Sequence, residues 1–125
     1  MIIVVDAGGL IAAERGSNRL ALLHKLDRNA QFIVPVCVVA QVWRDGRRQA
    51  RLARFLNGCE IVGVAADAGQ RLGALLGAAA TDDVVDATVI DTAVQYSASM
   101  VATSDPADMR RLVQTSSVAL EIVAV

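Results

Sequence analysis

Aromatic side chains are nearly missing from this chain: two Phe, one Trp and one Tyr make up 3% of the sequence. Only Trp43 and Tyr96 stand out as candidates for stacking a base, and core packing is the expected role of both. Histidine occurs once, as His24 in an amphipathic stretch, where a surface or packing role is expected. The two cysteines, Cys37 and Cys59, lack C-x-x-C spacing and lie far from any His cluster. A zinc site and a disulfide framework are therefore both excluded, and buried thiols in a reducing, cytoplasmic setting are expected. No apolar run reaches the roughly 20 residues of a membrane span, because Asp, Glu, Arg or Gln interrupts each one. The opening "MIIVVD" lacks a basic flank and turns acidic at once, so no secretory leader is expected. The net charge of −1 does not by itself predict affinity for nucleic acid.

What is present is a globular composition. The 125 residues are 54% hydrophobic and 20% charged, which suits one domain, 1–125, with a core of Val, Ala, Leu and Ile. A mean hydropathy of +0.46 is high for such a chain and points to apolar surface covered by a partner or a second copy. Apolar, β-branched runs at 2–5, 32–34, 60–64, 100–103 and 120–123 read as strands buried on both faces. Helices are expected over 7–14, 18–28, 35–44, 46–58, 67–79, 84–97 and 106–114. In the second of these, Leu20, Leu23 and Leu26 form the inner side. Gly69, Gly73 and Gly77 fall on one face of the fifth, where a neighbouring helix has room to pack closely. Asp82 or Asp83 caps the sixth. Strands alternating with helices predict an α/β domain with a mostly parallel five-stranded sheet. There is no internal repeat, low-complexity tract or linker.

Acids punctuate this pattern at one end. Ligands of an open parallel sheet bind beyond the carboxyl ends of its strands, where strand order reverses. Asp6 directly follows the first strand and Asp105 follows the fourth by two residues. Asp86 lies near the start of the helix leading into the fourth strand, and Asp108 is one helical turn past Asp105. Each taken singly is a plausible helix cap, Asp105 above all, in Ser104-Asp105-Pro106. Taken together they are costly: two like charges about 4 Å apart repel by roughly 4 kcal/mol at an effective dielectric near 20. Such a group either takes up protons or recruits a cation, and carboxylates without Cys or His favour Mg²⁺ or Mn²⁺.

The stretches "IVVDAGGLIA", "VPVCVVAQVWR", "DDVVDATVIDTAV" and "VATSDPADMRRL" resemble, in order and over nearly the whole chain, the PIN domains of VapC-like toxins from bacterial toxin–antitoxin pairs. The last two are the most specific, with Asp86 and Asp105 19 residues apart, as in the family. The resemblance implies a PIN-like three-layer sandwich and Mg²⁺- or Mn²⁺-dependent endoribonuclease cleavage of RNA. It also implies a cognate antitoxin as partner. By position, Asp6, Asp86 and Asp105 correspond to the family's metal-site and catalytic acids, and Asp108 to an accessory acid; Asp83 and Ser104 are further accessory candidates. The chain departs from the pattern at Gln41, where the family usually has Glu, and at Gly8, where Ser or Thr often stands. A Gln carbonyl can ligate a cation but brings no charge and cannot act as a base. Asp45, one helical turn on, is a candidate to compensate.

RNA requires cations, and Arg44, Arg47, Arg48 and Arg51 supply one helical face if the helix runs on past Gly46. Apolar surface and the small-residue helices suggest a homodimer. Other α/β readings fit poorly. A receiver domain needs a lysine after its last strand, but the only lysine is Lys25. A haloacid-dehalogenase-type phosphatase needs an acid where Gly8 stands. The rival that Gln41 keeps open is a catalytically degenerate PIN-domain protein that engages RNA or an antitoxin-like partner without cleavage.

Overall fold

In the computed structural model, which describes residues 1–116 and 118–125, the chain runs β1 (Ile2–Val5), α1 (Ala7–Glu14), α2 (Arg19–Leu26), β2 (Gln31–Pro35), α3 (Val36–Val42) and α4 (Ala50–Asn57). It continues through β3 (Cys59–Val62), α5 (Ala68–Ala79), α6 (Val84–Gln95), β4 (Met100–Thr103), α7 (Pro106–Ser116) and β5 (Glu121–Ala124). The sheet order is β3-β2-β1-β4-β5, and all four pairings are parallel. From β1 the chain steps outward one way to β2 and β3, then crosses back to β4 and β5 on the other side. Strand order therefore reverses between β1 and β4, which pair with Val5 opposite Ala102.

The layers follow from this winding. Helices α1, α3 and α4 pack on one another on one face, and α5, α6 and α7 do so on the other. The strands between them are covered on both sides, so Ile3, Val4, Val5, Val34, Val101 and Ala102 are fully buried. Helix α6 lies across β1, β2 and β4 and buries Ala87, Val89, Ile90 and Ala93. A bidentate pair from Arg71 to Asp91, at 2.7 and 3.1 Å, ties α5 to α6.

Three local expectations fail. Leu26 is 83% exposed, because α2 ends there and the chain turns out through Asp27 instead of continuing to residue 28. The glycine stripe on α5 is open: among the described residues, a Cβ built at Gly69, Gly73 or Gly77 meets nothing within 4 Å, so no helix is packed closely there. Residues 46–49 are not helical. The buried Gln49 side chain accepts from the backbone N–H groups of Arg44 (2.7 Å) and Asp45 (3.0 Å) and donates to the Val42 carbonyl (2.9 Å). Those bonds replace the helical ladder with a turn, and α4 starts only at Ala50. The cysteines sit as expected, free and partly buried, and burial pushes the Cys59 thiol up to about 12.

Candidate acidic site at the strand-order reversal

Asp6 is the first residue past β1, and it is only 6% exposed. It caps α1: its Oδ1 accepts the N–H of Gly9 at 2.8 Å. The bland and the functional readings thus share one side chain. Burial pushes the Asp6 carboxyl above its ordinary value, against hydrogen bonds from the Thr103 hydroxyl and the Gly9 and Gly8 amides. The negative charge of Asp105 pushes it further the same way.

Thr103 joins the two strand ends. Its side chain is fully buried, and its hydroxyl bonds the Asp6 carboxyl while accepting the backbone N–H of Asp105 at 3.0 Å. This residue was missed in the sequence. Its signal was its place as the last residue of β4, which matters only once β4 is known to pair with β1.

Asp86 enters from the opposite face of the sheet. Helix α6 leads into β4 and so begins at the strands' carboxyl end. Asp83 caps it by accepting the Asp86 N–H at 3.0 Å. The Asp86 carboxyl is pushed up to about 7, first by burial and then by the charges of Asp83, Asp6 and Asp108. Acids from β1, α6 and α7 therefore share one field. Asp105 and Asp108 are the exposed members, and Asp108 pairs with Arg111 at 3.2 Å.

The other candidates lie differently. Gln41 is on the last turn of α3 and exposed. Asp45 is not a helical turn beyond it but in the Gln49-pinned turn, where its carboxylate accepts the Arg47 N–H at 3.0 Å. Ser104 is exposed and rests on Gly8: a Cβ at Gly8 would lie 1.9 Å from the Ser104 Oγ. The arginine face does not form. Arg44 donates to the Ala40 and Trp43 carbonyls at the end of α3, Arg47 and Arg48 sit in the turn, and only Arg51 is helical. Tyr96 is 39% exposed instead of packed in the core.

Chemically, the donor set is oxygen only, which suits a hard divalent cation. Two of its members, Asp6 and Asp86, bind protons more tightly than ordinary carboxylates. A cation would relieve that same crowding. As the side chains stand, no three acids among the described residues already converge as a closed set of ligands.

No protein-family model matches the sequence, and no curated protein matches it either. Among solved structures, that of VapBC2 from Rickettsia felis bound to a DNA fragment from their promoter contains a similar chain, with a TM-score of 0.75 at 17% identity. The match covers 100% of this chain and 99% of that one. At that identity the likeness is one of fold, and the fold is the PIN-like α/β sandwich that the four sequence stretches suggested.

Proposed function

We propose that the chain is a metal-dependent endoribonuclease, the toxin member of a VapBC-type pair. The observation that supports this reading is like-charge crowding near the reversal between β1 and β4: Asp6 feels the charge of Asp105, and Asp86 feels those of Asp83, Asp6 and Asp108, which a cation would relieve. Asp6, Asp86 and Asp105 would hold Mg²⁺ or Mn²⁺, with Asp108 accessory. When bound, such an ion supplies Lewis-acid polarisation of a phosphoryl oxygen and lowers the pKa of water.

The chain's own residues do the rest. The Gly9 amide and the Thr103 hydroxyl fix the Asp6 carboxylate in one orientation. Asp86, pushed up to about 7 without an ion, would give up its proton on binding the cation, so ion affinity should rise with pH through about 7. Asp105 and Asp108 are exposed, so an incoming phosphodiester would have access to them. A small antitoxin as partner, a second copy as dimer mate and a cytoplasmic setting belong to the same reading. The similar structure, of VapBC2 on promoter DNA, supports the first of these.

The test is cleavage of total RNA with mapped ends, with Mg²⁺ or with EDTA. Metal-dependent cuts are expected, with Asp6→Asn and Asp105→Asn each lowering the rate by about a hundredfold or more, since loss of a mere supporting partner of a ligand costs 10–100-fold. Wild-type rates in either variant, or cutting that persists in EDTA, overturn the reading. RNA binding with no cutting under any metal condition favours instead the degenerate, non-cleaving protein that Gln41 suggests.

A further inference from the structure

The arginines expected to hold RNA do not line up, yet others gather elsewhere. Two residues past the end of α1 lies Gly16, whose φ of +80° is left-handed and favours glycine. A Cβ at that position would also lie 2.8 Å from Nη1 of Arg51, so the Arg51 guanidinium rests on the Gly16 backbone. Beside it opens a groove of about 520 Å³, whose walls include Arg15, Ser17 and Arg19 at one end and Gly8 and Ser104 at the other. Arg15, Arg19 and Arg51 are all exposed, and among the described residues none forms a salt bridge. Glu14, the nearest acid in sequence, accepts a bond from Gln49 at 3.2 Å. Arg15 and Arg19 thus line the groove and Arg51 sits against its Gly16 wall, while the wall residues Gly8 and Ser104 adjoin the acidic site, since Gly8 is two residues past Asp6 and Ser104 directly precedes Asp105.

We infer that this groove is the track of the RNA backbone, with Arg15, Arg19 and Arg51 holding phosphates on one side of the phosphodiester presented to the acids; the assignment of RNA rests on the nuclease reading above. Guanidinium groups bind phosphate oxygens bidentately. The change of sign from the arginines of the groove to the acids next to Gly8 and Ser104 selects an anionic polymer over a single anion. Phosphates at the cationic end bring the next link of the same chain to carboxylates that would otherwise repel it. An acidic peptide gains at the first end and loses at the second.

The test is fluorescence anisotropy of a labelled single-stranded RNA of about 12 nucleotides, in EDTA so that binding is read without cleavage. Each phosphate contact contributes about −0.7 to the slope of log affinity against log salt. The triple variant Arg15→Gln/Arg19→Gln/Arg51→Gln should lose about tenfold or more in affinity at low salt and about 2 units of that slope. Arg28→Gln/Arg47→Gln/Arg48→Gln, with the same change in charge, should keep both. An unchanged slope in the first triple, an equal loss in the second, or competition by polyglutamate as strong as by unlabelled RNA overturns the groove. The two proposals fail separately: wild-type cleavage and binding in the first triple removes the groove and spares the nuclease. Groove-dependent binding without cleavage does the reverse.

Discussion

The acidic site and the arginine segment 44–51 are opposites. The acids come from distant parts of the sequence and feel one another's charge; the arginines are neighbours in sequence and part. The difference lies in what fixes position. A residue at a strand's carboxyl end is placed by the whole sheet, whose parallel register fixes where every strand stops. A residue on a helical face is placed only as long as the helix continues, and one side chain can end it. In this chain Gln49 does so with three bonds to backbone groups of residues 42–45.

Gln49→Ala breaks that contrast most directly. It leaves two backbone N–H groups and one carbonyl without their partner in a part-buried place, and a lost partner there costs about 1–3 kcal/mol. A total of about 3 kcal/mol is expected, read as a lowered urea midpoint with unchanged slope. Arg44, Arg47 and Arg48 would lose their fixed turn while the acidic site stays whole. A loss under about 0.5 kcal/mol, the range of an ordinary surface change, would mean that the turn holds itself.

Gly8→Ala probes the other region. Alanine is the better helix former by about 1 kcal/mol. The added Cβ, however, would lie 1.9 Å from the Ser104 Oγ, 2.7 Å from its Cβ and 3.0 Å from its backbone N. The hydroxyl can rotate away, but the last two atoms belong to Ser104 itself, held directly after β4, so overpacking of about 1–3 kcal/mol or more wins and a net loss of about 2 kcal/mol is expected. Adding Ser104→Gly should return part of it, and a double-mutant cycle measures how much. Strict additivity would mean that the two residues do not share the space.

These cases also mark what the sequence made legible. All five strands could be located because short apolar runs rich in β-branched residues need no partner information to be seen, although only the central strands are buried on both faces and the edge strands β3 and β5 are partly exposed. Asp6, Asp86, Asp105 and Asp108 were visible for the same reason, each sitting at a fixed offset from a strand or helix end. Thr103 was hidden because its role depends on which strand lies beside β1. Arg15 and Arg19 were hidden because Arg51 is brought to Gly16, which lies between them in sequence, only by the packing of α4 on α1. Leu26 and the 46–49 segment misled because helical periodicity carries no information about where competing hydrogen bonds end a helix.

Protons provide the finest test of the acidic site. Asp86 titrates near 7 in the folded chain and near 3.9 when unfolded, and Asp6 is shifted in the same direction. The folded state therefore binds protons more tightly between those values, so stability is greatest at low pH and falls as pH rises through about 7. Asp27 is shifted the other way, but that contribution is lost only as pH falls below about 4, outside this window. Because Asp86 keeps part of its solvent, the loss should be about 1–2 kcal/mol, a few degrees in Tm between pH 5 and 8 in EDTA. Asp86→Asn should flatten most of that slope. Added Mg²⁺ should reverse it, since the ion binds the ionised acids of the folded chain and stabilises them by mass action. If Asp86→Asn leaves the pH slope intact, the crowding assigned to the β1–β4 reversal lies elsewhere. The acids would then be no more than separate helix caps, as isolated as the arginines of the turn.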